Sequence, residues 1–165
     1  MGKAAEGDMS MKRVLFVCHG NICRSPMAEY IFRDEARKAG LEAYAESAAT
    51  SSEEIWGGVG NPVYPPVKKL LAARGIDCSD KRATRLEKGD YGEYDLIVVM
   101  DGGNRRDALR ILGGDPEGKV RLLMEFAGLS RDVADPWYTR DFAAAERDIE
   151  SGCRGLLQAV RDEEV

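Results

Sequence analysis

The sequence predicts a three-layer α/β/α fold on a four-stranded parallel sheet, and three observations carry that prediction. Two apolar runs are uninterrupted, strand-like segments alternate with helix-period segments, and a glycine-bearing loop leads from the first run into a helix start. Val14-Leu15-Phe16-Val17, within residues 13–18, and Leu96-Ile97-Val98-Val99, within 94–100, read as strands buried on both faces.

The remaining elements follow in order. After the first strand and its loop comes Ser25-Pro26, an N-cap serine before a proline at the first helical position. Ala28, Ile31, Phe32, Ala36 and Ala39 then recur at helical spacing until Gly40. Residues 42–49 read as a second strand, and 66–74 as a helix with Val67, Leu70 and Leu71 on one face. Residues 104–112 form a short helix stopped by Gly113-Gly114, and 120–123 supply a fourth strand. Over 141–160, Phe142, Ala145, Ile149, Cys153, Leu156, Leu157 and Val160 mark the buried stripe of a long helix. Loops 51–62 and 129–139 have the composition of mobile segments. Residues 1–11 are small and polar, read as a flexible leader before a single domain over 12–165. In open parallel sheets ligands bind beyond the carboxyl ends of the strands, where Cys18 lies.

Composition removes several function classes. The chain has 165 residues, 44 % apolar and 32 % charged, the balance of a globular domain. No apolar run approaches the roughly 20 residues of a membrane span, so membrane insertion is not expected. A net charge of −5 argues against a nucleic-acid partner. The four cysteines, Cys18, Cys23, Cys78 and Cys153, include no Cys-x-x-Cys pair, and His19 is the only histidine. A metal site is therefore not expected, and a reducing, cytoplasmic compartment is.

The chemistry concentrates in Cys18-His19-Gly20-Asn21-Ile22-Cys23-Arg24-Ser25. A cysteine ends a buried strand, an arginine follows after five residues, and the loop runs into a helix N-terminus. Helix N-termini and tight loops of successive N–H groups bind anions. Gly20 and Asn21 tolerate the positive φ such a loop uses. The same field favours a thiolate at Cys18. Arg24 offers a planar fork to two phosphate oxygens. Ser25 is expected to cap the helix and donate its hydroxyl to the sulfur, and Asn21 to brace the loop backbone. The Gly-x4-Gly-Lys-Ser/Thr pattern of nucleotide-binding loops is absent.

From Val14 to Cys18 and through Arg24-Ser25-Pro26-Met27-Ala28-Glu29 the chain resembles the low-molecular-weight protein tyrosine phosphatase family. The resemblance extends to Ser47-Ala48-Ala49-Thr50-Ser51, to Met100-Asp101 with Asn104, and to Ala134-Asp135-Pro136-Trp137-Tyr138. It implies a phosphatase-type Rossmann-like domain that hydrolyses phosphotyrosine and small aryl phosphates through a phosphocysteine at Cys18. No metal or cofactor is implied. Asp135 becomes the candidate proton donor to the tyrosine oxygen. An unperturbed aspartate titrates near 3.9, so the site must keep it protonated, and like charges with water exclusion by Trp137 and Tyr138 would do so. Pro136 holds Asp135 extended.

The resemblance also implies Ser47 as a support residue, a reversible disulfide between Cys18 and Cys23, and a substrate groove walled by Glu53, Trp56, Trp137 and Tyr138. Trp56-Gly57-Gly58-Val59 looks inserted, and Trp56 is read either as replacing an aromatic wall that Glu53 lacks or as covering the core. His19 falls where relatives more often carry a small or apolar residue. Many relatives place a histidine in an internal hydrogen-bond network where this chain reads Ser79-Asp80-Lys81-Arg82, so that network must be rewired or absent. The implied partners are phosphotyrosine proteins and a cognate tyrosine kinase, with inorganic phosphate as product. Ile22, where arginine-phosphate phosphatases carry threonine, favours tyrosine. Other readings on the same residues are an arsenate reductase, an arginine-phosphate phosphatase, a non-catalytic phosphoprotein binder and a redox sensor. The reductase lacks a relay of neighbouring cysteines, and a binder needs neither Cys18 nor Asp135.

Overall fold

Strand β1 (Lys12–Cys18) divides its side chains between two cores, and so decides where every other layer sits. Val14, Phe16 and Cys18 point to one apolar cluster while Leu15 and Val17 point to another. Both clusters need cover, which is why this strand reads as an unbroken apolar run. A computed structural model describes residues 11–165; apart from Met11, the expected leader lies outside the described residues.

The sheet is parallel throughout, in the order β2-β1-β5-β6, with β2 (Ala43–Ala49), β5 (Leu96–Val99) and β6 (Val120–Leu122). Cys18 pairs with Ala49 at the carboxyl end of β1. Helix α1 (Arg24–Lys38) buries Met27, Ala28, Ile31 and Phe32 on the first face, and Phe32 meets Phe16 edge-on at 5.6 Å. Helix α6 (Phe142–Arg161) packs there as well, through Ala145, Ile149, Cys153 and Leu156. Helix α4 (Gly102–Leu112) covers the second face with Ala108 and Leu112. Helix α2 (Pro65–Ala73) adds Val67 and Leu71 to the first cluster, and α3 (Asp90–Glu93) is a single turn before β5.

The two loops expected from composition carry structure of their own. A hairpin of β3 (Ile55–Trp56) and β4 (Val59–Gly60) turns at Gly57 and Gly58, whose φ values of +57° and +82° suit glycine. In the second loop, α5 (Pro136–Thr139) is a four-residue turn capped by Asp135. A 3-10 helix (Leu123–Ala127) follows β6 directly. Helix α1 starts two residues earlier than expected: its N-cap is Cys23, not Ser25, and Cys23 gives no side-chain cap. Ser25 is no cap because its hydroxyl is committed to Cys18 and Asn21.

Helix α6 approaches the 3-10 helix closely because Gly152 and Gly155 lie at the contact. A Cβ on Gly155 would stand 1.8 Å from the Phe126 carbonyl oxygen, a backbone atom that cannot rotate away. Gly155→Ala is expected to destabilise the protein by about 2–3 kcal/mol, the cost of overpacking a tight contact. Urea unfolding checks this: the midpoint falls while the slope is unchanged.

Candidate active site

The loop from Cys18 to Arg24 is held in shape by its carbonyls. Cys18 O accepts from Thr50 N at 3.0 Å, His19 O from Ser51 N at 3.0 Å, and Ile22 O from Tyr64 N at 2.8 Å. Cys23 O accepts from Met27 N inside α1. With carbonyls anchored outward, the loop turns back on its own sulfur: Asn21 N reaches Cys18 Sγ at 3.3 Å and Ser25 N at 3.4 Å. Ser25 Oγ lies 3.0 Å from the same sulfur. Three polar groups thus converge on one sulfur.

Asn21 takes the left-handed conformation, φ +62°, and its buried amide ties three segments together. Its Nδ2 donates to Ser25 Oγ at 2.8 Å and to Ser47 Oγ at 2.9 Å, while Oδ1 accepts from Thr84 N at 3.0 Å. It therefore braces the two serines and a neighbouring strand-like segment, rather than the loop backbone as expected. Gly20 does not adopt positive φ; its need is space, since a Cβ there would meet Glu54 Cγ at 3.3 Å.

Arg24 is 3 % exposed and ends the loop with its guanidinium under the cavity. Nη1 donates to Val133 O at 2.9 Å, and Nη2 donates to Asp101 Oδ2 at 2.9 Å and faces Asp135 Oδ2 at 3.5 Å. Burial pulls this guanidinium down, but the negative groups of Cys18, Asp135 and Asp101 outweigh it and push it up, so it stays charged. Asp101 does two things at once: Oδ1 caps α4 through Asn104 N at 2.7 Å, and Oδ2 orients Arg24.

Asp135 sits extended before Pro136, φ −91° and ψ 111°, as the proline requires. Its Oδ1 accepts from Trp137 N at 3.1 Å, leaving Oδ2 towards Arg24. Trp137 packs edge-on against Tyr64 at 4.7 Å, and Tyr138 is 86 % exposed, so Tyr138 rims the cavity without closing it. The loop from Cys18 to Arg24 lines one cavity of about 450 Å³ together with Asp101, Asp135, Trp137 and Tyr138.

The other expected residues divide. Glu53 is on the rim, joined to His19 Nε2 at 2.9 Å, so His19 is a rim residue as well. Trp56 does not line the cavity: it is 74 % exposed on the β3–β4 hairpin, and the expected aromatic wall is not there. The hairpin fixes Trp56 next to a tight Gly57-Gly58 turn, and Glu54, held by Asn61 at 2.8 Å, takes the wall instead. Among the described residues every cysteine is a free thiol. Burial first, then the charge of Cys18, pushes the Cys23 thiol up to about 12, and burial raises Cys78 and Cys153.

Sequence reasoning assigns no role to Glu29, Lys81, Thr84 or Asp101, and does not single out Asp107, which lines the cavity. Asp101 had a signal, an aspartate just past a buried strand with Asn104 three residues on, the spacing of an N-cap. Lys81 had none beyond its place after the second helix. It fills the region that lacks histidine, so the internal network is rewired.

The profile of the family described as low molecular weight phosphotyrosine protein phosphatase matches residues 13–165. The chain belongs to that family. Its activity class is therefore that of a protein tyrosine phosphatase, a hydrolase that works through cysteine. It is 37 % identical over 157 residues to the low molecular weight protein-tyrosine-phosphatase YfkJ of Bacillus subtilis, covering 93 % of this chain and 98 % of that one. It is 41 % identical over 128 residues to the low molecular weight phosphotyrosine protein phosphatase of Schizosaccharomyces pombe, covering 76 % and 81 %. The crystal structure of YfkJ superposes with a TM-score of 0.86 at 36 % identity, over 94 % of this chain and 98 % of that one. The parallel-sheet phosphatase fold expected from the sequence is thus the one observed. Among the described residues no helix is long and apolar enough to cross a membrane.

Proposed function

We propose that this phosphatase cleaves phosphotyrosine with Cys18 as nucleophile, Arg24 as the phosphate clamp and Asp135 as general acid and then base. The observation that carries the assignment is the convergence on Cys18 Sγ of Ser25 Oγ and two backbone amides, at 3.0–3.4 Å, in the cavity shared by Arg24 and Asp135. Cys18 attacks phosphorus in line, forming the S–P bond as the P–O bond to tyrosine breaks, and Asp135 gives that oxygen its proton. Arg24 and the amides of residues 19–25 hold the equatorial oxygens in a preorganised cradle. Water then attacks the phosphocysteine, Asp135 takes its proton, and inorganic phosphate leaves with Cys18 restored as thiolate. Ser25 Oγ donates to the sulfur as it departs.

Cys23 shares the loop with Cys18 and is read as its redox partner; its thiol, raised by burial, keeps it out of the phosphoryl step. The free cysteines suit a reducing, cytoplasmic setting, and the family match supports phosphotyrosine proteins as substrates, with a cognate tyrosine kinase as the enzyme it opposes. The test is turnover of a phosphotyrosyl peptide in the presence of a chelator, followed by acid quench and peptide mapping. Phosphate is expected on the peptide carrying Cys18 and on no other cysteine. Release of product with no cysteine labelled, or reduction of arsenate without peptide hydrolysis, overturns the reading.

A further inference from the structure

Beneath the cysteine loop lies a cation that the phosphoryl chemistry does not touch. Lys81 is 8 % exposed; its Nζ donates to the Ser47 carbonyl at 2.9 Å and stands 3.7 Å from Glu29 Oε1. Lysine is seldom buried unless paired, and the pairing here is set into a fully assigned hydrogen-bond chain. Because Asn21 Oδ1 accepts from Thr84 N, its two Nδ2 hydrogens must go to Ser25 Oγ and Ser47 Oγ. Each hydroxyl then has one hydrogen to give: Ser25 gives it to Cys18 Sγ, and Ser47 to Glu29 Oε1.

That pattern holds only while Glu29, 1 % exposed, is a carboxylate. A proton on Oε1 would point at Ser47 Oγ and turn the serine's hydrogen back on the Asn21 amide, itself a donor. A proton on Oε2 would face Arg33 Nη2 at 2.6 Å.

We propose that Lys81 is a positioning residue for the reaction at Cys18: its ammonium keeps Glu29 ionised, and so keeps the chain through Ser47, Asn21 and Ser25 directed towards the sulfur. The proposal rests on Cys18 being the nucleophile. The groups facing Glu29 are Lys81 from the segment after α2, Arg33 and Tyr30 from its own helix, Glu46 and Ser47 from β2, and Cys78. Burial pushes the Glu29 carboxyl up; Lys81 is the strongest opposing influence, ahead of the Ser47 hydrogen bond and Arg33, while Glu46 adds to the rise. Arg33 is a weaker substitute, since it is half-exposed and shared with Glu46 and the Ala45 carbonyl. Burial pulls Lys81 down in turn, and Glu29 foremost holds it up. Without Lys81 the carboxyl takes its proton at a higher pH, so the defect grows as pH falls.

The experiment compares kcat/KM for an aryl phosphate in the wild type, Lys81→Met and the double variant Lys81→Met/Glu29→Gln, expressed at each pH as a ratio to wild type. Lys81→Met is expected to lose about twofold near pH 8 and about twentyfold near pH 5.5, since each tenfold corresponds to one unit of displaced titration. The double variant is expected to stay within about threefold of wild type across the range, because the carboxamide oxygen introduced at position 29 accepts from Ser47 and cannot be protonated, while the half-exposed Arg33 swings off the carboxamide nitrogen and keeps Glu46 and the Ala45 carbonyl as acceptors. A pH-independent ratio for Lys81→Met, or a double variant as impaired as the single one, overturns the proposal. If Lys81→Met does not fold, the double variant decides alone, and a loss beyond about tenfold sinks the idea. Wild-type enzyme without turnover would instead remove Cys18 as nucleophile and this role with it.

Discussion

Cys18→Ser is expected to abolish turnover, by roughly 10⁴-fold or more, while leaving the phosphate site assembled. A factor of 10⁴ corresponds to about 5.4 kcal/mol of barrier, and its origin is the attacking atom. A serine hydroxyl in this loop has no base to remove its proton: Ser25 Oγ, Asn21 N and Ser25 N all donate towards that position. Those donors stabilise a sulfur anion and leave a neutral hydroxyl a weak nucleophile. The cradle does not depend on the sulfur, because its carbonyls are tied to Thr50, Ser51 and Tyr64 and Arg24 to Val133 and Asp101. Removing a negative charge beside a dianion favours binding, so calorimetry with a phosphotyrosyl peptide is expected to show equal or tighter affinity. Residual hydrolysis above a hundredth of wild type would move the nucleophile elsewhere.

How much of this was legible in the sequence depended on whether a residue acts locally or through the fold. The Cys18–Ser25 loop is local: a buried strand, a turn and a helix start lie within one stretch, and periodicity with turn chemistry locates them. Even there, the helix start was misplaced, because a serine before proline looks like a cap until its hydroxyl finds a better partner in the sulfur. Asp135 was legible through the proline and aromatic residues that follow it. Trp56 was misread because an aromatic side chain near a groove sequence says nothing about the side of a two-residue hairpin on which it projects. The support beneath the loop was invisible for a different reason. Only Ser47 is implied by the resemblance; Glu29, Lys81 and Thr84 come from a helix and a loop far apart in the chain, and each alone reads as an ordinary solvated polar residue. Only the parallel pairing of β1 with β2 and the bridge from Ala49 to Arg85 bring them under the cysteine.

Asp135→Asn is expected to slow hydrolysis of a phosphotyrosyl peptide by about 10²–10³-fold, within the usual range for loss of a general acid. The substitution is close to isosteric, and an asparagine oxygen still accepts from Trp137 N, so the turn at Pro136 is retained. What disappears is the proton that Oδ2 would carry into the cavity beside Arg24. The tyrosine phenol titrates near 10, so its oxygen is a poor leaving group unless protonated as it departs. A p-nitrophenolate is a far weaker base and leaves with little help. The variant should therefore lose at least tenfold less with p-nitrophenyl phosphate than with the peptide, a contrast typical of general acid catalysis. A purely structural role for Asp135 would slow both substrates alike, since a loosened loop affects clamp and nucleophile before any leaving group is involved. The ratio between the two substrates, more than either rate, identifies what the carboxyl does.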